Sequence, residues 1–397
     1  MLTGCGAAER APAPTISATL SRHSLPGFAE LVASPAGAAE ISAAFGIPTI
    51  LVELDGPASA NFRPPGPHGL PVVVVGVHPD GLGAVPPAVA ELVDVVVTDP
   101  GPVLGRVEAT PQAAVTLALI LRASLRLGVA DGLAAESAAY SMLQSGPEFA
   151  GWLASRSSTA AQVQAAHGRS GPRLVGTIPT NRGGEEPLSG AGPSIWRPSS
   201  SARRPPSGSG PEGGPQTRVV VADRAGAELR VTLARPERHN AVDTVMRDQL
   251  VEALLVACAD RSIDRVLLTG TGPSFCSGGD LAEFGSLPDP ATAHLVRLTR
   301  SPARLLAELG PRLEVHLHGA CIGAGIEMAA FAGRVVARPD TQISLPELRL
   351  GLIPGAGGTV SLPRRIGRHR TAELALTATP IDAPTALAWG LVDAVEP

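Results

Sequence analysis

Between residues 166 and 217 the chain carries SGPRLVGTIPTNRGGEEPLSGAGPSIWRPSSSARRPPSGSGPEGGPQT, a run of Pro, Gly, Ser and Arg almost without periodic apolar positions. Such a stretch cannot bury enough apolar surface to offset the entropy of ordering it, so it reads as a disordered linker. The 397 residues then fall into two parts, 1–165 and 218–397, each long enough to bury a core. Trp196, inside the linker, reads as a solvated aromatic.

A formal net charge of −4 gives no electrostatic reason to engage nucleic acid or an anionic membrane surface, and 3% aromatic residues leave little for stacking on bases. Apolar residues make up 44%, largely Ala, Val and Leu, so packing is expected to rest on aliphatic contacts. The cysteines at 5, 258, 276 and 321 form no CxxC pair. Neither a metal site nor a disulfide framework is indicated, and a reducing cytoplasm is the natural compartment. The opening MLTGC lacks the basic and apolar regions of a lipoprotein signal, and the apolar run AAVTLALIL at 113–121 ends at Arg122, short of the roughly 20 residues of a membrane span.

The C-terminal part alternates strand and helix signals, as α/β folds do. RVVVADRAGAELRVTLARP reads as a hairpin with DRAG as its turn. From Val242 to Cys258, Met246, Leu250, Leu254 and Leu255 recur at helical spacing; DRVLLTG is a strand, Pro290–Leu309 a second helix, and RLEVHLHG another strand. That strand runs into GACIGAGIEMAA at 319–330, a small-residue turn followed by a helix that seats Glu327 among Ile326, Met328, Ala329 and Ala330. An acid in an apolar helical face is costly unless it is paired or used, because burial disfavours its charged form.

Four motifs in order, LARPERHNAV (233–242), SFCSGGDLAEF (274–284), GACIGAGIEMAAFAGRVV and ISLPELRLGLIPGAGGTVSLPRRIG, resemble the crotonase superfamily of enoyl-CoA hydratases and isomerases over residues 218–397. The resemblance implies a crotonase-like ββα spiral core at the C-terminus, joined to an N-terminal α/β domain that ends in helices. It implies acyl-CoA chemistry with coenzyme A as part of the substrate and no separate cofactor, and a trimeric or hexameric homo-oligomer.

Adding water to a double bond conjugated to a thioester needs an oxyanion site, a group that activates water and a proton donor for the α-carbon. Matched onto the family, the oxyanion donors are the N–H groups of Gly279 and Ala324, where the family usually has glycine at the second. Glu327 falls on the first catalytic glutamate, which activates water, and Glu347 on the second, which protonates the α-carbon. Isomerases of the family commonly rely on the second alone, so the pair favours hydration. The CoA wall maps to Arg238, Ala241, Gly278, Asp280 and Leu281; Ala282 stands where many members carry a lysine, and Arg235 or Arg238 is the candidate replacement. Asp280 on its own chemistry reads as a helix cap, His318 as a packed histidine, and Cys276 and Cys321 as small core fillers. PGAGGT at 354–359 lacks the Lys-Ser/Thr ending of a phosphate loop.

Family members continue past the equivalent of WGLVDAVEP with helices that cover the acyl pocket. Residues 111–156 read as two or three amphipathic helices and resemble that terminal region. Leu117, Leu121, Leu125, Leu127, Tyr140, Leu143, Phe149 and Trp152 are the expected buried face. PTILVELDGPA, LPVVVVGV and LVDVVVTD look like strands of a degenerate core of the same type. Two readings of 1–165 stay open: a rearranged part of the fold that lends its helices to the core, or an unrelated tethered α/β domain. Function likewise leaves alternatives to hydration, an isomerase or a non-catalytic acyl-CoA-binding or assembly subunit.

Overall fold

The computed structural model describes residues 21–34, 41–55, 67, 69–156, 218–286 and 289–397. The expected linker at 166–217, with Trp196, and the opening MLTGC lie outside the described residues. The described residues before and after that segment belong to one unit.

Four parallel strands, β1 (Ser21–Ser24), β2 (Thr49–Glu53), β3 (Val73–Val77) and β4 (Val95–Val97), form a sheet in that order. The last three fall on the valine-rich runs; β1, reading SRHS, carries no apolar signal. Alternate side chains leave opposite faces. Ile50, Val52, Val74 and Val96 pack with Leu25 and Phe28 of the helix Leu25–Ala33. Leu51, Val73, Val75, Val95 and Val97 join Val103, Val107, Leu117 and Leu121 on the other face. A sheet covered on both sides has no polar face, which is why its strands read as unbroken apolar runs.

One buried ion pair fastens this sheet to the helix Pro111–Ser124. Arg122, closing the apolar run, donates from Nε and Nη2 to the two oxygens of Asp94 at 2.7 and 2.6 Å, and to the carbonyls of Pro67, Leu70 and Val72. Asp94 also accepts from the Val74 amide at 2.8 Å. Every donor and acceptor is thus met, the condition under which a buried pair is tolerated.

After the hairpin β5 (Val220–Ala225) and β6 (Glu228–Leu233), the chain repeats a strand, a second short strand and a helix. β7 (Arg265–Gly270) leads to a bridge at Cys276 and then helices 290–309; β8 (Leu313–Leu317) and β9 (Ala320–Ile322) lead to the helix Ala324–Ala329; β10 (Arg334–Ala337) and β11 (Gln342–Ser344) lead to the helix Gly358–Thr377. First strands build a sheet ordered β13-β10-β8-β7-β6-β5, with β13 at Ala394–Val395, and second strands a sheet ordered β12-β11-β9, with β12 at Ile381–Asp382. The architecture is α/β, a ββα spiral at the C-terminal side with an N-terminal α/β region ending in helices.

Those helices, Pro111–Ser124, Val129–Gln144 and 147–156, do not stand apart. Leu117, Leu121, Leu143 and Phe149 share one continuous core with Ile326, Leu348, Leu352 and Leu362, and Tyr140 and Trp152 pack half-buried against it. Leu125 departs from the expected face: the helix ends at Ser124, and Leu125 is 57% exposed. Leu127 lies in the connection and is only partly buried.

Three further expectations are corrected. The hairpin turn is Gly226–Ala227, not DRAG; Asp223 and Arg224 are strand residues, and Gly226 takes the positive φ of 63° the turn requires. Pro290–Leu309 is two helices, Pro290–Arg300 and Pro302–Leu309. Pro302 disfavours a helical residue before it, and Ser301 instead caps the second helix at the Ala303 amide. Leu255 faces outward at 46% exposure, and the helix Thr244–Ala259 buries Met246, Leu250 and Leu254 instead.

Candidate active site

Two chain crossings meet at the parallel bridge between Cys276 and Cys321, where the Ile322 amide donates to the Cys276 carbonyl at 3.0 Å and the Cys276 amide to Ala320 at 3.2 Å. Both cysteines are buried small residues, and the pairing of the two strands around them sets the register of the two turns beyond. Each chain leaves through a glycine turn, Gly278 with φ of 99° and Gly323 with φ of 50°. A Cβ on Gly278 would stand 3.0 Å from the Ile322 carbonyl oxygen and 3.9 Å from the Ala324 nitrogen, so the turns are in contact. Just beyond them lie the amides of Gly279 and Ala324, both partly exposed, neither donating a hydrogen bond to another described group.

Glu327 sits in the first turns of the helix Ala324–Ala329 and is 2% exposed. Its Oε2 accepts from the amides of Ala356 at 2.7 Å and Gly358 at 2.9 Å. Gly358 has no room for a side chain, since a Cβ there would lie 2.6 Å from Glu327 Cγ. Glu347 begins a short 3-10 turn, Glu347–Leu350, and its Oε1 points at Gly323, where a Cβ would come within 2.2 Å. Its Oε2 is enclosed without a hydrogen-bond partner. The structure thus brings Glu327, Glu347 and the turns bearing Gly279 and Ala324 together.

Burial drives both carboxyls up: Glu347 is pushed up to about 7, and Glu327 is raised further by the neighbouring charges of Glu347 and Glu136. The two titrate together. Two amide donors on Oε2 favour charge on Glu327, while Glu347 has its own backbone amide as a donor and an Oε2 with no partner.

The residues expected to line CoA lie around the 278–281 segment. The Val242 amide donates to Gly278 O at 2.8 Å and the Asp280 amide to Val242 O at 2.9 Å, which sets Ala241 alongside. Asp280 caps the turn Leu281–Glu283 by accepting from the Ala282 amide, and that bond, with Arg235 beside it, holds its carboxyl below the usual range. Leu281 is exposed. Arg235 does not stand in for the missing lysine: its Nη1 is shared between Asp243 at 3.0 Å and Asp280 at 2.9 Å and also reaches Ala241 O. Arg238 is exposed, forms no ion pair among the described residues, and its charge helps hold the Asp280 carboxyl down. His318, partly buried, bonds the Gly272 carbonyl at 3.0 Å.

A sequence profile of the Enoyl-CoA hydratase/isomerase family matches residues 224–397. The 2,3-dehydroadipyl-CoA hydratase of Escherichia coli (strain K12) is 35% identical over 178 residues, 45% of this chain and 69% of that protein. The chain belongs to the enoyl-CoA hydratase/isomerase family. The 1,2-epoxyphenylacetyl-CoA isomerase of the same organism is 36% identical over 169 residues, 41% of this chain and 64% of its own. A solved enoyl-CoA hydratase from Thermoplasma volcanium GSS1 is 33% identical with a TM-score of 0.41, covering 45% of this chain and 71% of that one. The chain spans between 64% and 69% of these two curated relatives.

Two residues that build the site escaped the sequence. Asn240, wholly buried, accepts from the Arg235 amide and donates to the carbonyls of Thr271, Ser274 and Phe275, so it ties the 235–241 loop to the strand leading to Gly278. Glu136, on the helix Val129–Gln144, is 2% exposed and reaches the turn that holds Glu327. Its signal was present in LAAESAAY: an acid among small residues on a helix, as at Glu327.

Proposed function

We propose that the protein is an enoyl-CoA hydratase that adds water to a 2-enoyl-CoA to give a 3-hydroxyacyl-CoA. The observation that carries this reading is the pair of enclosed carboxylates, Glu327 and Glu347, beside two adjoining glycine turns with free amides at Gly279 and Ala324. In this scheme the thioester oxygen accepts from both amides, which strengthen their hold as the enolate forms. Glu327, ionised, takes a proton from water as its oxygen bonds the β-carbon. Glu347, protonated, gives its proton to the α-carbon as the enolate collapses. The elements of water are added, the pair's proton has moved from Glu347 to Glu327, and exchange with solvent restores it. An acyl chain would run toward the cavity of about 170 Å³ lined by Phe149, Leu153, Pro290 and Ala293, and Arg238 would face a CoA phosphate.

The isomerase reading draws on relatives named for isomerisation and needs only Glu347. Full-length protein incubated with crotonyl-CoA and longer 2-enoyl-CoAs, followed by loss of the conjugated thioester absorbance, tests hydration directly. Conversion of a 3-enoyl-CoA without hydration would favour the isomerase, and binding without turnover would favour a non-catalytic subunit.

A further inference from the structure

Four successive amides, 356 to 359, open the helix Gly358–Thr377, whose cap position at Gly357 offers no side-chain acceptor. The first N–H groups of a helix need acceptors, and carboxylates suit them best because the helix end carries partial positive charge. Here the four are dealt alternately to two acids. Ala356 and Gly358 donate to Glu327, while Gly357 donates to Glu136 Oε1 at 2.7 Å and Thr359 to Glu136 Oε2 at 2.8 Å, with the Thr359 hydroxyl adding a third bond at 2.7 Å. Glycine at 357 and 358 makes this possible: a Cβ at 357 would strike Phe331 and Ala303, and one at 358 would strike Glu327.

We propose that Glu136 is a positioning residue of the site, which fixes the 356–359 turn on which Glu327 rests and, by holding charge there, keeps one proton on the Glu327–Glu347 pair. With three donors Glu136 is the best-solvated of the three buried acids, Glu327 has two on one oxygen, and Glu347 Oε2 has none. Charge settles first where donors are most numerous, and it disfavours a second and third charge nearby. The Coulomb effect of Glu136 on both other acids is upward, and burial raises Glu136 itself to about 7.

Other groups face Glu136 from each packed element. Tyr140 lies one turn on along its own helix, against Gly355. From Pro290–Arg300 comes Arg297, which stacks 4.6 Å over the Tyr140 ring, bonds Ser137, Ser141 and Gln144, and forms no ion pair within 4 Å among the described residues. Arg304 and Ser301 line the same cavity of about 160 Å³ as Glu136. Arg297 favours the charged form of Glu136 from a distance, without an ion pair to it among the described residues.

The inference rests on the reading of Glu327 and Glu347 as the reacting acids, so its test has a readout apart from turnover. Full-length protein labelled with ¹³C at glutamate Cδ is titrated by NMR, with Glu327→Gln and Glu347→Gln assigning the signals. In Glu136→Gln the pair's apparent values should fall by about one unit, the size of a Coulomb effect over several Å at an effective dielectric near 20. Both limbs of the pH profile of kcat/KM should move acidward with them. Should Glu136→Gln not fold, Thr359→Ala raises the proton affinity of Glu136 by removing one donor and should give a smaller shift in the same direction. A folded variant whose pair titrates as in wild type overturns the proposal, and lost stability with unchanged titration reduces Glu136 to an anchor. A shifted titration in a protein that turns over no enoyl-CoA upholds it and counts against the hydratase reading instead.

Discussion

Glu347→Gln is expected to raise stability at alkaline pH while removing hydration. Glu347 lies in an enclosed site with one oxygen unpartnered, and burial pushes its carboxyl up to about 7 from an ordinary value of 4.5. Because the folded state holds the proton more tightly than the unfolded chain, stability falls as pH rises from near the unfolded value toward 7, and no penalty exists below it. A rise of roughly 2.5 pH units at about 1.4 kcal/mol per unit sets an upper limit of about 3.5 kcal/mol, shared with the coupled acids Glu327 and Glu136. The amide fills the same volume, so Glu347→Gln should match wild type near pH 4 and exceed it by about 2 kcal/mol at pH 8. Urea unfolding midpoints across that range read the difference. Hydration should fall by about a hundred- to ten-thousand-fold, the usual worth of a general acid, with affinity for a non-reactive acyl-CoA thioether retained. A pH-independent stability difference would refute the assignment of a raised carboxyl, and wild-type turnover would refute its role as proton donor.

Glu327→Gln should also fold, since the amide can keep its oxygen toward Ala356 and Gly358, and should lose activity to a similar degree; the double variant should cost far less than the product of the two, because the pair acts on one water. Gly323→Ala drives a methyl into Glu347 Oε1 at a positive-φ position, so turnover should collapse with a stability loss of about 1–3 kcal/mol by thermal melting. Asp94→Asn leaves the Arg122 guanidinium buried and unmatched, and chemical denaturation should show a loss of about 3–5 kcal/mol. Residues 218–397 expressed alone should aggregate, because Leu117, Leu143 and Phe149 complete their core, and supplying 1–165 as a second chain should restore soluble protein; a well-behaved, active 218–397 fragment would contradict the shared core.

Legibility in the sequence depends on how locally each feature is encoded. The glycine turns and the two glutamates sit within short motifs, and β2 to β4 are apolar runs that need no partner to be recognised. β1 was hidden because an edge strand of four residues, SRHS, is held by its neighbour's backbone and carries no side-chain pattern. The DRAG misplacement came from register, which is set across the pair and not within one arm. Arg235 has the right charge and lies near the right segment, yet its partners Asp243 and Asp280 arrive from two other places in the chain, and only their convergence shows that it is spent.

Glu136 marks the boundary most sharply. Its helix resembles that of Glu327 in setting an acid among small or apolar residues, Ala134, Ala135 and Ser137 in one and Ile326, Met328 and Ala329 in the other, where burial of its charge is costly. The donors that offset that cost lie 29 and 31 residues from Glu327 along the chain, whereas those of Glu136 lie 221 and 223 residues away. A helix carrying an unexplained buried acid therefore predicts a docking site rich in amide donors. In this chain the fitting partner is the other half of a turn that already holds one carboxylate. The helices at 111–156 thus contribute more than an apolar cover: one of them places a third carboxylate against the turn that positions Glu327.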